Sequence, residues 1–144
     1  MAKGGIISAI HQGSLAEELE LVPGDKIISI NEQELTDIID LSFALADEEI
    51  EMLIEHENGE QEIIAFEKDI DEELGAEFES AVFGKIRQCA NNCYFCFVDQ
   101  VAPNMRDSLY IKDDDYRLSF LYGNFVTMTN MGPRDLERIH RLHL

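Results

Sequence analysis

Apolar residues in the first half of the chain follow two spacings in turn. Short runs that are wholly apolar, or apolar at every second position, predict β-strands, whereas apolar residues three or four positions apart predict helices. These patterns predict strands at 5–10, 26–30, 49–55 and 61–66 and helices at 15–20 and 37–46. Asn58-Gly59, between the last two strands, is typical of a two-residue hairpin turn. Residues 1–67 are therefore predicted to form a small antiparallel α+β domain.

The second half of the chain is predicted to alternate strands with helices. We expect strands at 81–88 and 125–129, and helices at 116–122 and from Pro133 to the end. Gly123 would close the first of these helices, and a hairpin turning at Gly123-Asn124 is the competing interpretation. A strand, loop, helix, strand and helix in this order predict the start of a parallel α/β barrel.

A dense acidic run, DIDEELGAEFE at residues 69–79, separates the two halves. Blocks of like charge are usually solvated connectors, so residues 68–80 are predicted to be an acidic linker. Ile70, Leu74 and Phe78 recur at helical spacing, which allows a short docked helix as the alternative.

Net charge and the lack of a long apolar run limit the partners and the cellular compartment that we expect for this protein. Thirty Asp and Glu against eleven Lys and Arg give a formal net charge of −19. This charge repels phosphate backbones and anionic lipid, so we expect no direct nucleic-acid ligand and no membrane partner. No apolar run is long enough to cross a bilayer, and the N-terminus lacks the apolar core of a signal peptide. We therefore expect a cytoplasmic protein with reduced thiols.

All three cysteines lie within the eight residues CANNCYFC, at positions 89, 93 and 96. An odd number of clustered thiols in a reducing compartment indicates ligand chemistry rather than a disulfide framework. Structural zinc needs four ligands, and the histidines at 11, 56, 140 and 143 form no partner knuckle for it. A four-iron cluster held by three thiolates keeps one iron open, which makes it a chemical site. A third interpretation, small buried apolar cysteines, is disfavoured by the neighbouring Asn91 and Asn92.

The C-x3-C-x2-C spacing, with Phe95 directly before the last cysteine, resembles the motif of the radical SAM superfamily. The resemblance implies that Cys89, Cys93 and Cys96 hold three irons of a [4Fe-4S] cluster and that S-adenosylmethionine chelates the fourth. It also implies cleavage of that cofactor to a 5′-deoxyadenosyl radical, which abstracts hydrogen from a substrate. Phe95 would lie near the adenine.

Radical SAM proteins bind the methionyl amino group of the cofactor with a short glycine-rich, acidic segment after the second strand. The equivalent place in this chain holds Thr127, Thr129 and Asn130, without a Gly-Gly-Glu. Thr129 and Asn130 are therefore the candidate cofactor-binding residues, since both can donate or accept hydrogen bonds. The alternative is that they cap the end of a strand.

The segments GSLA at 13–16 and LVPGDKIISIN at 21–31 resemble a PDZ domain. PDZ domains bind a peptide C-terminus as an added strand beside a carboxylate-binding loop. The resemblance implies that this loop is Lys3-Gly4-Gly5 and that the peptide site comprises Gly4, Gly5 and Ile6. The alternative is a degenerate PDZ-like module that only packs against the neighbouring domain.

Over nearly the whole chain, this combination resembles a bacterial family of radical SAM proteins with an N-terminal PDZ-like domain. We expect a PDZ-like domain at 1–67, the linker, and the first part of a partial (β/α)6 radical SAM barrel at 81–144. A βα repeat needs about 30 residues, so this part would cover about two of the six repeats and be inactive as a fragment. The expected function is that of a radical SAM enzyme with an unidentified substrate and a reducing electron donor. The alternative is a PDZ-like adaptor whose cysteine loop binds zinc or is redox-active.

Overall fold

A computed structural model describes residues 4–144, which divide into two compact units. The N-terminal unit ends at Lys85 and consists of an antiparallel sheet with two helices. The C-terminal unit, Ile86–Leu144, consists of helices and irregular loops. No helix within the described residues has the length and hydropathy needed to cross a bilayer.

Six strands and two helices make up the described part of the N-terminal unit. They are β1 (Gly5–Ile10), α1 (Leu15–Glu18), β2 (Lys26–Ile30), β3 (Gln33–Glu34), α2 (Ile38–Ala44), β4 (Glu49–Glu55), β5 (Gln61–Glu67) and β6 (Ala76–Phe78). Every strand pair is antiparallel, in the order β5-β4-β2-β1-β6, with β3 beside β2. The α+β class and the four longer strands expected from the sequence are confirmed.

Local side chains cap the N-terminus of each helix in this unit. Ser14 accepts a hydrogen bond from the Glu17 backbone N–H, and Asp37 accepts one from the Asp40 N–H at 2.9 Å, as helix N-caps do. Helix α1 is two residues shorter than predicted because Glu20 adopts a left-handed backbone with φ of 59°. The predicted hairpin forms, but its turn is three residues long rather than two: the Gly59 N–H donates to the His56 carbonyl at 2.8 Å, and Gly59 then adopts a left-handed backbone with φ of 87°.

Alternation along β4 fills the core of the N-terminal unit. Ile50, Met52 and Ile54 point inward and are buried, whereas Glu49 and Glu51 at alternate positions are exposed. The buried set on the other elements includes Ile7, Leu15, Ala16, Leu21, Ile27, Ile30, Leu35, Leu41 and Ala44. One contiguous apolar cluster therefore supports the sheet and both helices.

Strand β6 lies inside the segment predicted to be an acidic linker. It pairs with β1 in the register Ile7–Phe78 and Ile10–Ala76, so the alternative of a short docked helix is wrong. Gly75 adopts a left-handed backbone with φ of 73°, which a right-handed helix through this segment does not allow. The outer edge of β1 also offers unpaired backbone groups, and this pairing satisfies them.

The C-terminal unit contains a short 3-10 turn and two helices, α3 (Tyr116–Tyr122) and α4 (Pro133–Leu142). Both helices were expected, and Gly123 closes α3 in a left-handed conformation while its N–H bonds the Ser119 carbonyl. This finding rules out the competing hairpin at Gly123-Asn124. The turn spans Asp107–Tyr110.

The two strands expected for the start of a barrel do not form in the described chain. Between 81 and 88 only single bridges occur, from Val82 to Asp37 and from Gln88 to Asp113. The segment 125–129 makes no ladder, and Met128 has φ of 62°, which a strand does not accommodate. A strand needs a partner that continues over several residues, and residues 81–88 meet their neighbours only at these two separate bridges.

The net charge is distributed unevenly between the units. Residues 1–85 contain 23 Asp and Glu against four Lys and Arg, whereas residues 86–144 contain seven of each. The N-terminal unit therefore carries the whole excess, and the C-terminal unit is formally neutral. The electrostatic argument against phosphate-bearing ligands applies to the N-terminal unit alone.

His56, directly after β4, joins two carboxylates of the N-terminal unit. Its Nδ1 lies 2.9 Å from Oδ1 of Asp25, and its Nε2 lies 3.3 Å from Oε2 of Glu62. Asp25 is 1% exposed and also accepts a hydrogen bond from the Val22 N–H. The hydrogen bond to Asp25, followed by that to Glu62, raises the pKa of His56 above its ordinary value of 6.5.

The inward-facing β4 residues predict a contrast in stability. We expect Ile54→Ala to lower the free energy of unfolding by about 2–5 kcal/mol, since the side chain is 1% exposed and its loss leaves a cavity. The same change at Ile63 on β5, which is 61% exposed, should cost about 0.5 kcal/mol or less. Urea unfolding measures both, and equal losses would contradict the assigned core.

The raised pKa of His56 predicts a pH dependence of stability. Protonated His56 stabilises the fold, and this contribution is fully present below the unfolded pKa of 6.5 and is lost as the pH rises through the higher folded pKa. The gap in urea midpoint between wild type and His56→Gln should therefore be wider at about pH 5.5 than at about pH 9. A gap that does not change with pH would refute the assigned pairing.

Candidate functional site

A short two-stranded contact holds the first cysteine of the C-terminal unit. The Cys89 N–H donates to the Lys112 carbonyl at 2.7 Å, and the Asp114 N–H donates to the Arg87 carbonyl at 2.9 Å. Gln88 and Asp113 form the antiparallel bridge between these bonds. Cys89 is thus fixed beside a segment more than twenty residues later in the chain.

The loop that follows is a series of turns carrying the other two thiols. The Cys96 N–H donates to the Cys93 carbonyl at 3.3 Å, and the Gln100 N–H donates to the Cys96 carbonyl at 3.2 Å. Cys89 and Cys96 are partly buried, Cys93 is exposed, and all three are free thiols. These bonds fix the spacing between the last two cysteines while Cys93 remains open to a ligand.

All three thiols line one cavity of about 610 Å³. Its apolar lining residues are Phe95, Phe97, Val98, Ile111 and Phe125, and its polar ones are Asn91, Lys112, Asp113, Asp114, Asn124 and Thr127. Within residues 4–144, no three Cys, His, Asp or Glu side chains stand close enough together to hold one ion in this conformation. Binding a shared centre therefore requires the cysteine loop to close further around it.

None of the four histidines lines this cavity. His11 lies 2.9 Å from Glu77, and His56 bonds Asp25, both in the N-terminal unit. The rings of His140 and His143 lie 6.5 Å apart at the end of α4. Within the C-terminal unit, the described residues thus place no histidine in the cavity as a fourth ligand for zinc.

A cation stands beside the thiols. Lys112 Nζ lies 2.7 Å from Oδ1 of Asp99, and this hydrogen bond raises the pKa of Lys112, with smaller contributions from the nearby Cys96 and Cys89. The same bond lowers the pKa of Asp99, which Cys96 also lowers slightly by a hydrogen bond. Lys112 therefore remains charged at neutral pH, and its charge offsets part of the negative charge that thiolate ligands bring.

A hydrogen-bond network connects the cysteine loop to the segment after α3. The Asn91 side-chain amide donates to Thr129 Oγ1 at 2.8 Å, and the Thr129 and Thr127 hydroxyls lie 2.9 Å apart. Asp114, which is 1% exposed, accepts hydrogen bonds from the Thr127 hydroxyl at 2.7 Å and the Thr127 N–H at 2.6 Å. One buried carboxylate therefore positions the threonines next to the loop.

Asn130 has an acceptor that no described group uses. Its side-chain amide donates to the Asp114 carbonyl at 3.0 Å and the Gln88 carbonyl at 3.3 Å. Its Oδ1 is buried without a hydrogen-bond donor. Buried acceptors are nearly always paired, so this atom is a place where a ligand donor would be stabilised.

The candidate cofactor residues differ in position. Phe95 lines the cavity and is 71% exposed, which leaves a ring face for stacking. Thr129 and Asn130 do not line the cavity but are connected to it through Asn91 and Asp114.

Sequence reasoning assigned no role at the site to four polar residues, Asn91, Asp99, Lys112 and Asp114. Their contacts at the site depend on the non-local pairing around Gln88.

A second set of contacts fixes the chain just before Cys89. The Arg87 guanidinium makes a two-pronged hydrogen bond to Asp135 near the start of α4, which raises the pKa of Arg87 and lowers that of Asp135. The Arg87 N–H donates to Asp115 at 3.0 Å, and its guanidinium lies 5.3 Å from the centre of the Tyr116 ring. Both the backbone and the side chain of Arg87 are held, so this residue forms a rigid base for the cysteine loop.

The residues expected to bind a peptide are already engaged within the N-terminal unit. The Gly4 N–H donates to the Leu35 carbonyl at 3.1 Å, and the Ile6 carbonyl accepts from the Glu79 N–H at 3.0 Å. Gly5 lies against the rings of Phe78 and Phe83. Lys3, the first residue of the expected carboxylate-binding loop, lies outside the described residues.

Two family models match the chain. A model described as a PDZ domain matches residues 6–56, and one described as a Radical SAM-like domain matches residues 68–144, just over half of the chain. No curated protein matches the chain. The cysteine loop and its network lie in the second region. The chain therefore belongs to the family of the Radical SAM-like domain and has a PDZ domain ahead of it.

Proposed function

We propose that this protein is a radical SAM enzyme in which Cys89, Cys93 and Cys96 ligate three irons of a [4Fe-4S] cluster. The observation that carries the proposal is that all three thiols open into one cavity, beside the charged Lys112, in a chain of this family. Three protein ligands leave one iron for a small molecule. S-adenosylmethionine bound to the reduced cluster would supply a 5′-deoxyadenosyl radical that abstracts hydrogen from the substrate.

The chain's own residues would bind the cluster and balance its charge. The three thiols must lose their protons to act as ligands, which adds negative charge to a half-buried site. Lys112, kept protonated by Asp99, offsets that charge from the rim of the cavity. The rigid segment at Arg87 keeps Cys89 in place while the exposed Cys93 moves toward the other two.

The cofactor would be oriented by stacking and by hydrogen bonds. Phe95 offers an exposed aromatic face, which suits the adenine. The ammonium group of the methionyl end is a donor only, so it needs acceptors. Asn130 Oδ1, which lacks a donor, and the hydroxyl of Thr129 are acceptors within the hydrogen-bond network that reaches the loop.

Phe97 and Phe125 are 77% and 78% exposed in the described conformation, so the apolar part of the cavity would keep water from the reacting atoms once the cysteine loop closes. Phe97, Ile111 and Phe125 line it beside the thiols. An apolar enclosure protects a reactive intermediate from side reactions. We further propose a cytoplasmic setting with a reducing electron donor, because thiols stay reduced in that compartment. The substrate is an organic molecule with an abstractable C–H bond.

The cluster proposal predicts a specific paramagnetic response. Protein reconstituted anaerobically with iron and sulfide, then reduced, should give a [4Fe-4S] electron paramagnetic resonance signal that shifts on addition of S-adenosylmethionine. Cys93→Ala should abolish the signal, whereas Asn92→Ala, an exposed change in the same loop, should preserve it. Bound zinc without an iron signal would support the zinc adaptor instead and refute the proposal.

The role of Phe95 predicts a loss of cofactor affinity without loss of the cluster. Phe95→Ala should weaken S-adenosylmethionine binding about 5- to 100-fold, since stacking of a base on an aromatic ring contributes about 1–3 kcal/mol. Titration of the signal shift against cofactor concentration measures this affinity. Phe120→Ala on α3 is the matched control, because that ring is 53% exposed and does not line the cavity. Equal effects of the two changes would remove Phe95 from the cofactor site.

A further inference from the structure

Both edges of strand β1 are occupied. On one side β1 pairs with β2, and on the other it pairs with β6, which runs antiparallel from Ile10–Ala76 to Ile7–Phe78. The pairing continues past β6, where the Glu79 N–H donates to the Ile6 carbonyl. The segment thus runs along the edge of β1 opposite to β2, toward the glycines at the N-terminal end of β1.

The same segment is bound on its other side by the start of α2. We call residues Leu74–Phe83 the strap. The Ile38 N–H donates to the Ala81 carbonyl at 2.8 Å, and the Phe83 N–H donates to the Thr36 carbonyl at 2.9 Å. Val82 forms an antiparallel bridge with Asp37. The strap therefore fills the groove between β1 and the N-terminus of α2.

Apolar side chains anchor the strap at both ends. Leu74 and Phe83 belong to the core cluster, and Val82 is fully buried. The Phe78 and Phe83 rings lie 5.5 Å apart, centroid to centroid, against the bare backbone of Gly5. Alternate apolar side chains seated in pockets, with backbone bonds between them, are how an added strand is recognised.

The strap occupies the position that an added peptide takes in a PDZ domain. It is antiparallel to the accepting strand and runs toward the loop expected to bind a carboxylate. A peptide would end there, whereas this chain continues through Ser80 to Phe83. The strap lies outside the PDZ match at 6–56 and inside the Radical SAM-like match at 68–144, although it packs in the N-terminal unit.

We propose that the strap is a displaceable, built-in ligand that closes the peptide groove of the PDZ domain. A tethered ligand acts at an effective concentration near the millimolar range. A free peptide therefore binds only to the fraction of molecules whose strap is released, and its apparent affinity falls by that fraction. The PDZ domain engages the segment that leads to the cysteine loop rather than a foreign peptide C-terminus.

Gly75 is the position at which the strap can be released most selectively. Its φ is 73°, and a Cβ there would overlap the Cβ of Ser14. Its carbonyl accepts a hydrogen bond from the His11 N–H at 2.9 Å. Gly75→Ala therefore strains the strap without removing any side chain from the groove. Gly59→Ala is a matched control, because Gly59 has φ of 87° and nothing within 4 Å of such a Cβ.

Binding of a labelled peptide with the sequence of residues 73–83 tests the proposal on the whole 144-residue chain. Fluorescence anisotropy should show that Gly75→Ala binds this peptide at least about tenfold more tightly than wild type or Gly59→Ala. A folded Gly75→Ala protein that binds the peptide no better than Gly59→Ala would overturn the proposal. Circular dichroism of both variants establishes that they are folded.

Hydrogen exchange on the wild-type chain gives a second test that needs no variant. If the strap opens as a unit, the Glu79 and Phe83 amides should exchange at least about tenfold faster than the paired amides of β4 and β5. Equal protection of the strap and of the β4–β5 ladder would show that the strap unfolds only with the whole unit. That result would overturn the proposal even if Gly75→Ala failed to fold.

Discussion

The candidate site depends on two adjacent buried carboxylates, Asp114 and Asp115, each 1% exposed. Asp114 binds the backbone and hydroxyl of Thr127, so it holds the segment after α3. Asp115 accepts hydrogen bonds from the Arg87 N–H and from the Arg117 guanidinium. Burial alone would raise the pKa of Asp115, but these donors, Arg117 first, lower it overall. A buried charge persists only when it is paired in this way, and the pairing fixes the cysteine loop beside the threonines.

The sequence predicts correctly those elements whose signals act between neighbouring residues, and it misses elements that need a distant part of the chain. Alternation along 49–55 and the Asn58-Gly59 pair predict the β4–β5 hairpin correctly, because both signals act between near neighbours. The segment 125–129 has the same apolar character but forms no strand, since a ladder needs a partner and Met128 adopts a left-handed backbone. Strand β6 was missed because only three residues pair, within an acidic run, with a strand more than sixty positions earlier.

The candidate site likewise has one part that local sequence signals predict and one part that depends on non-local contacts. The spacing of Cys89, Cys93 and Cys96 is local, and it pointed to the superfamily that the family match shows. Lys112 and Asp114 reach these thiols only through the bridge between Gln88 and Asp113, which no local pattern indicates. Net charge misleads when read for the whole chain, since the excess acidity belongs to the PDZ-containing unit and the cysteine-bearing unit is neutral.

The most direct test of the account is whether the reduced cluster binds S-adenosylmethionine through one iron. Electron-nuclear double resonance with cofactor labelled by ¹⁷O in its carboxylate and ¹⁵N in its amino group detects such contact as hyperfine coupling. The account predicts coupling to both labels, since three thiolates leave one iron without a protein ligand. A four-iron cluster with coupling to neither label would contradict it, because the cysteine loop would then hold a closed electron-transfer centre.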